Sequence, residues 1–172
     1  EFTVEVNPGQ VDKGLGCAMK DSGVNRVSIG GQSFNQNELN FLGRRHKVGD
    51  IYRAIETCRD AGFENLSLDL IFAICGQSLK DWQRSLDCAV QAGVEHISAY
   101  SLGFEQGTPL DEDRKAGKVV PIDEELDRRM YLYTIDFLRQ AEIEMYEISN
   151  FAKPGFECIH NLNYWSNGKY IG

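Results

Sequence analysis

The sequence predicts an α/β fold built on a parallel sheet, and three observations predict it. The first is a phrase that occurs three times: Ser22-Gly23-Val24-Asn25-Arg26-Val27-Ser28, Ala61-Gly62-Phe63-Glu64-Asn65-Leu66-Ser67 and Ala92-Gly93-Val94-Glu95-His96-Ile97-Ser98. Glycine takes the left-handed conformation without a Cβ penalty and so stops a helix. The second is that each copy follows a helix-like stretch. The third is that each opens a short, β-rich apolar run. Helix-to-strand junctions in series mark consecutive βα units, which build a parallel sheet. In a βα barrel the chemistry lies where strands end and βα loops begin.

Residues 1–6 alternate and are rich in β-formers, a strand closed by the turn Asn7-Pro8-Gly9. Residues 11–22 must then be the crossover helix, although Gly14 and Gly16 weaken it by roughly 1 kcal/mol each. A second strand covers 26–31, with Gln32-Ser33-Phe34 at its exit, and a polar stretch leads to Leu42-Gly43-Arg44-Arg45-His46. Ile51, Ala54, Ile55 and Cys58 have helical spacing and place a helix over 49–61. Residues 66–74 are almost wholly apolar, as in a strand covered on both faces, except for Asp69. A helix over 80–92 and a fourth strand over 97–102 follow, then the loop Glu105-Gln106-Gly107-Thr108-Pro109. Asp123-Glu124-Glu125 favours the N-terminus of a long helix over 123–141. A fifth strand is expected over 145–149, and the tail from Asn150 is rich in aromatics and turn formers. Five strands cannot close an eight-stranded barrel. The sheet is therefore open, a partial barrel, or a piece of something larger, and a three-layer open sheet is the rival.

At 172 residues the chain can bury one good core, and with 42% hydrophobic and 26% charged residues it reads as globular. A net charge of −8 with no basic stripe argues against a sequence-independent nucleic-acid binder. No apolar run approaches the ~20 residues of a membrane span, and no signal peptide is visible. The chain opens at Glu1 without a methionine, so its natural N-terminus is expected to lie upstream. Five scattered cysteines (Cys17, Cys58, Cys75, Cys88, Cys158) show no metal-ligand spacing. Cys17, Cys58 and Cys88 read as small buried hydrophobes, and the compartment as reducing.

Asp69 is the sharpest local anomaly, because a buried carboxylate without a partner is costly. Its partner is either a ligand or an internal group such as Arg26 or Arg44. Glu5 and Gln32 sit at strand exits in the same way, and Arg44 follows at loop distance. Two carboxylates, an amide and a guanidinium suit a small polar cofactor carrying an amino-acid moiety and ribose hydroxyls. No Ser/His/Asp arrangement and no phosphate-cradling glycine loop appears. His46, His96 and His160 are too far apart to suggest zinc, and His96 reads as structural. His160 lies in Cys158-Ile159-His160-Asn161-Leu162-Asn163-Tyr164-Trp165. It is either part of a packed aromatic corner over the barrel end or a ligand to a flat aromatic macrocycle.

Five motifs in order carry a resemblance: Glu5-Val6-Asn7-Pro8-Gly9; Ser28-Ile29-Gly30 with Gln32-Ser33-Phe34; Leu42-Gly43-Arg44 with His46; Leu68-Asp69-Leu70-Ile71; and His160 to Trp165. Together they resemble the radical SAM, oxygen-independent coproporphyrinogen III oxidase-like family, and the last points to its heme chaperone (HemW) branch. The resemblance implies a partial (β/α) TIM-type barrel, here an interior fragment missing its first strands. It implies a radical SAM core over 1–120, and over 121–172 the final helix and strand with the start of a truncated C-terminal region. Glu5, Gln32, Arg44 and Asp69 become S-adenosylmethionine contacts and His160 a heme contact, with a [4Fe–4S] cluster held by cysteines upstream. No catalytic residue and no metal ligand is assigned within the chain.

The implied function is a cytoplasmic heme carrier that hands heme to an acceptor protein, with peripheral contact to membrane respiratory proteins. The alternative is a coproporphyrinogen III oxidase performing radical oxidative decarboxylation in porphyrin biosynthesis. A third reading is a βα-barrel protein of other function. Whether the family member is an enzyme is left open by the residues, and the cysteine motif CxxxCxxC is not in this sequence. Other departures are Ala73-Ile74-Cys75 where the family has Gly-Leu-Pro, Gly31 in place of an apolar residue, and an atypical loop over 102–106.

Overall fold

A computed structural model describes residues 1–170. The chain runs β1 (Thr3–Val6), α1 (Lys13–Asp21), β2 (Arg26–Gln32), α2 (Gln36–Phe41), α3 (Val48–Asp60), β3 (Leu66–Phe72), α4 (Leu79–Gln91) and β4 (His96–Ser101). It continues with α5 (Pro109–Lys115), α6 (Glu124–Gln140), β5 (Glu144–Met145), β6 (Asn150–Ala152) and α7 (Ile159–Trp165). One six-stranded sheet has the order β1-β2-β3-β4-β6-β5. The first four strands are parallel, as the three repeated junctions require. Gly23, Gly62 and Gly93 end α1, α3 and α4 at φ of 87°, 84° and 72°, the left-handed region expected of them.

The strands alternate. Val27 and Ile29 of β2, Leu66, Leu68, Leu70 and Phe72 of β3, and Ile97 and Ala99 of β4 belong to one core with Ile51, Ala54, Cys58, Trp82, Leu86, Met130 and Leu138 from the helices. The intervening side chains are Arg26, Ser28, Ser67, Asp69, His96 and Ser98, which point the other way. A three-layer sheet would bury apolar residues on both faces. Here helices cover one face and the second carries the polar residues, the arrangement of a barrel wall. β3 is buried along almost its whole length, Ser67 and Ile71 included, so it is covered on both faces as expected, and Asp69 belongs to a polar row on one of them.

Several local expectations change. The fifth strand over 145–149 is replaced by a short hairpin, β5 with β6, and β6 runs antiparallel to β4. The two-residue β5 is exposed, so no apolar run marked it. Helix α2 falls in the stretch read as polar, and α5 begins at the last residue of the loop over 105–109 and runs into a stretch with no expected element. Each is a six- or seven-residue helix set by an N-cap, Asn35 to Asn37 N and Thr108 to Asp111 N, rather than by periodicity. The aromatic tail contains α7. Gly16 does not simply weaken α1: a Cβ there would stand 3.1 Å from the Ala61 Cβ, so its absence lets α1 approach the end of α3. Asp12 caps that helix by accepting from Leu15 N at 2.8 Å. Of the three cysteines expected inside, Cys58 is buried, Cys88 partly so and Cys17 exposed.

Candidate functional site at the polar face of the sheet

The polar face encloses a cavity of about 680 Å³ whose wall includes Glu5, Arg26, Ser28, Asp69, Tyr100 and His160. That volume suits a small organic ligand. Asp69 lies at its centre, mid-strand in β3, with Ser98 as its register partner on β4. The Ser28 hydroxyl donates to Asp69 Oδ1 at 3.0 Å. The Ser98 hydroxyl donates its one proton to Asn150 Oδ1 at 2.7 Å. Burial pushes the Asp69 carboxyl above its usual range, against the Ser28 and Ser98 hydroxyls that lower it, and neighbouring Glu5 adds to the rise. Neither Arg26 nor Arg44 forms an ion pair with Asp69, so the internal partner expected as a guanidinium is a serine hydroxyl.

Gln32 is held by a break in the sheet. The β2–β3 register shifts between Ile29 and Gln32, and Gln32 takes φ of 65°. Gly30 makes this fit, since a Cβ there would lie 2.9 Å from Gln32 Nε2. The bulge turns the amide back over the strand end, where Gln32 Oε1 accepts from Tyr100 Oη at 3.2 Å. Gly31, which stands in place of the family's apolar residue, packs tightly: a Cβ there would meet Leu68 Cδ1 at 2.7 Å. Ala73 also adopts a left-handed φ of 58° at the exit of β3, and Ile74 after it is fully buried.

Glu5 and Asp69 thus share one cavity, and Gln32 reaches it through Tyr100. Arg44 lines a neighbouring recess of about 470 Å³ with Asn7, Gln10, Arg45, His46 and Asp50. Its charge is nevertheless felt at Tyr100, whose phenol it lowers against burial and Asp69, which raise it. His46 is buried, with Nε2 at 3.1 Å from Gly31 O, and so braces the bulge from below.

His160 lies at the opposite end. It belongs to α7, whose start is tied to Glu1 before β1 and to Tyr146, which abuts the first residue of β4: Ile159 N donates to Glu1 Oε2 at 3.4 Å, and Cys158 N to Tyr146 Oη at 3.3 Å. His160 itself is exposed and meets Tyr164 edge-on, centroids 4.8 Å apart. It is not a packed aromatic corner. Ile159, Leu162, Tyr164, Trp165 and Tyr170 are exposed around it. Above α7 a closed network fills the end of the polar face. Ser67 Oγ and Tyr146 Oη each lie 2.8 Å from a ring nitrogen of His96, and Asn161 Nδ2 donates to Tyr146 Oη at 3.1 Å. Tyr146 accepts from Cys158 and Asn161 and donates to His96 Nε2, which fixes a neutral ring with its proton on Nδ1. Burial, and Arg26 nearby, push the His96 pKa down to about 3, and burial pushes Tyr146 up to about 12. His96 is structural, as expected.

Tyr100, Ser28, Ser98 and Asn150 are site residues that motif reading passed over. The signal was present as period-two polarity in Arg26-x-Ser28, Ser67-x-Asp69 and His96-x-Ser98-x-Tyr100. Among the described residues no group of three His, Cys, Asp or Glu side chains is placed to hold a metal ion.

A family model for the radical SAM superfamily matches residues 1–89. The chain belongs to the radical SAM superfamily. It is 41% identical over 172 residues to the heme chaperone HemW of Bacillus subtilis and 37% to that of Lactococcus lactis; each match covers 100% of this chain and 45% of the relative. The chain therefore spans less than half the length of the curated relatives it matches. Its fold is that of coproporphyrinogen III oxidase HemN from Escherichia coli, a radical SAM enzyme, with a TM-score of 0.79 at 20% identity over 96% of this chain and 38% of that one. The sheet is accordingly a partial TIM-type barrel.

Proposed function

We propose that this chain is the cofactor-binding part of a HemW-like heme chaperone, which binds S-adenosylmethionine, a [4Fe–4S] cluster and heme and passes heme to an acceptor protein. The observation that carries the cofactor reading is Asp69: a half-buried, pKa-raised carboxyl with only serine hydroxyls and no paired cation beside it, facing a cavity shared with Glu5. The donor set fits the cofactor. Carboxylates at Asp69 and Glu5 suit ribose hydroxyls and an ammonium, Arg44 suits a carboxylate, and the Gln32 amide can both donate and accept. When bound, the cofactor and cluster supply one-electron chemistry. The residues here bind and orient, and the wall of the barrel keeps water from the reacting end.

The same reading makes His160, exposed among aromatic side chains, the heme contact, since imidazole is a ready axial donor. It places the protein in the cytoplasm with handover at membrane respiratory proteins, and the radical SAM core over residues 1–120. Among the described residues no helix is long and apolar enough to cross a membrane. The likeness to HemN supports the fold and not its reaction, so the carrier reading is preferred over oxidative decarboxylation.

The test is Asp69→Asn in protein that includes the cluster-binding segment, with S-adenosylmethionine affinity read by calorimetry. The expected result is a loss of about tenfold or more with the fold retained. Unchanged affinity per folded molecule would make Asp69 a structural residue and remove the support for this site.

A further inference from the structure

Arg26 is a charged residue of the polar face that the cofactor reading does not use and whose Nε the fold leaves without a partner. It opens β2, is only 4% exposed, and lines the same cavity as Asp69. Its Nε is buried without a hydrogen-bond partner, and its guanidinium makes no side-chain hydrogen bond and no ion pair with any described residue. The carboxylates of the cavity wall, Glu1, Glu5 and Asp69, do not reach it, and Glu1 is instead turned toward Cys158 Sγ and Ile159 N. A buried, unpaired guanidinium is among the costliest arrangements a fold can keep. Beside it stands a second orphan. Thr3 is the register partner of Arg26 on β1, it lies in the same cavity wall, and its Oγ1 is also buried without a partner. Two neighbouring unsatisfied groups on one face, one a fixed cationic fork and one a hydroxyl, describe the shape of what is missing.

We propose that Arg26 and Thr3 form a carboxylate-binding site at the N-terminal end of the polar cavity. The guanidinium takes a carboxylate through two parallel N–H···O bonds, and the Thr3 hydroxyl donates to one of the same oxygens. The site is separate from the Glu5, Gln32, Arg44 and Asp69 group and lies on the side of the cavity where His160 stands. It does not depend on heme being the cargo. The carboxylate comes either from a small free acid or from an acid arm of a larger ligand whose body lies toward His160 and α7.

The two sources are separable with three probes on the 172-residue chain: sodium propionate, hemin and hemin dimethyl ester. The readout is the Arg26 Nε–H resonance in a nitrogen-15 spectrum, together with dissociation constants. Saturable propionate binding that moves this resonance supports the site. Hemin that displaces propionate and binds about tenfold or more tightly than its ester assigns the carboxylate to an arm of the larger ligand. Hemin that leaves bound propionate undisturbed assigns it to a free acid. Arg26→Lys keeps the charge and loses the fork, so it should weaken binding about tenfold; Arg26→Gln should abolish it. A resonance that neither propionate nor hemin moves overturns the proposal, as does a folded Arg26→Gln variant that binds propionate like the parent. Should Arg26→Gln fail to fold, the propionate titration and the acid-against-ester comparison on the parent chain decide the matter.

Discussion

At the C-terminal ends of the strands, Glu5 and Arg44 make no side-chain hydrogen bond or ion pair with any described residue, and Asp69 just below them meets serine hydroxyls and no cation. At the N-terminal ends, Ser67, His96, Tyr146 and Asn161 are joined in one hydrogen-bonded network. The two regions also differ in depth, since Ser67 and His96 are fully buried while Glu5 is exposed and Arg44 and Asp69 are half-buried. What separates them chemically is whether their hydrogen-bonding capacity is spent internally. A satisfied polar network specifies a fold, whereas an unsatisfied set of groups on a rigid wall is prepared for something else. Arg26 cuts across this division, since it is unsatisfied in the satisfied half.

The comparison breaks first, and most visibly, at His96. His96→Phe strands the buried Ser67 hydroxyl and Tyr146 Oη, and a loss of about 2–4 kcal/mol in urea unfolding is expected, with little direct effect on cofactor affinity. A smaller effect follows from titration of the same ring. In the folded protein it protonates near 3, in the unfolded chain near 6.5. Between those values the unfolded state binds the extra proton, so stability should fall as pH drops through that window. Melting curves across it should show the slope in the parent and a flatter profile in His96→Phe.

Asp69 has the opposite sign. Its pKa is raised on folding, so the folded state holds the proton more readily and the ionised carboxylate costs stability at neutral pH. Asp69→Asn should be no less stable than the parent at pH 7, and any gain should fade as pH falls toward 3.8, the ordinary carboxylate value. A variant that loses affinity while keeping or gaining stability would mark a binding residue in the sharpest way. The smallest stability effect is expected at the lip: Arg44→Ala should change unfolding free energy by less than about 0.5 kcal/mol while reducing S-adenosylmethionine affinity. A large destabilisation there would erase the distinction between the two ends.

The parallel sheet and its three junctions were legible because glycine at a helix end and β-branched runs act locally. Asp69 was legible because one carboxylate in an apolar strand violates the hydrophobic pattern. The helices α2 and α5 were hidden because caps at Asn35 and Thr108, not periodicity, define them. The β5–β6 hairpin was hidden because its strands are too short to show alternation and its pairing to β4 is non-local. The separation of His160 from Gln32 and Arg44 was hidden for a further reason. Motif order along the chain says nothing about which end of a strand a later segment returns to, and α7 returns to the beginning through Glu1, Tyr146 and Cys158. The closed His96 network needed a residue, Tyr146, that no local pattern singles out.

The left-handed backbone at Gln32, with Gly30 beneath its amide, also limits what the break in β2 can accept: a β-branched residue at position 32 would strain the backbone there, and any side chain at position 30 would crowd the amide.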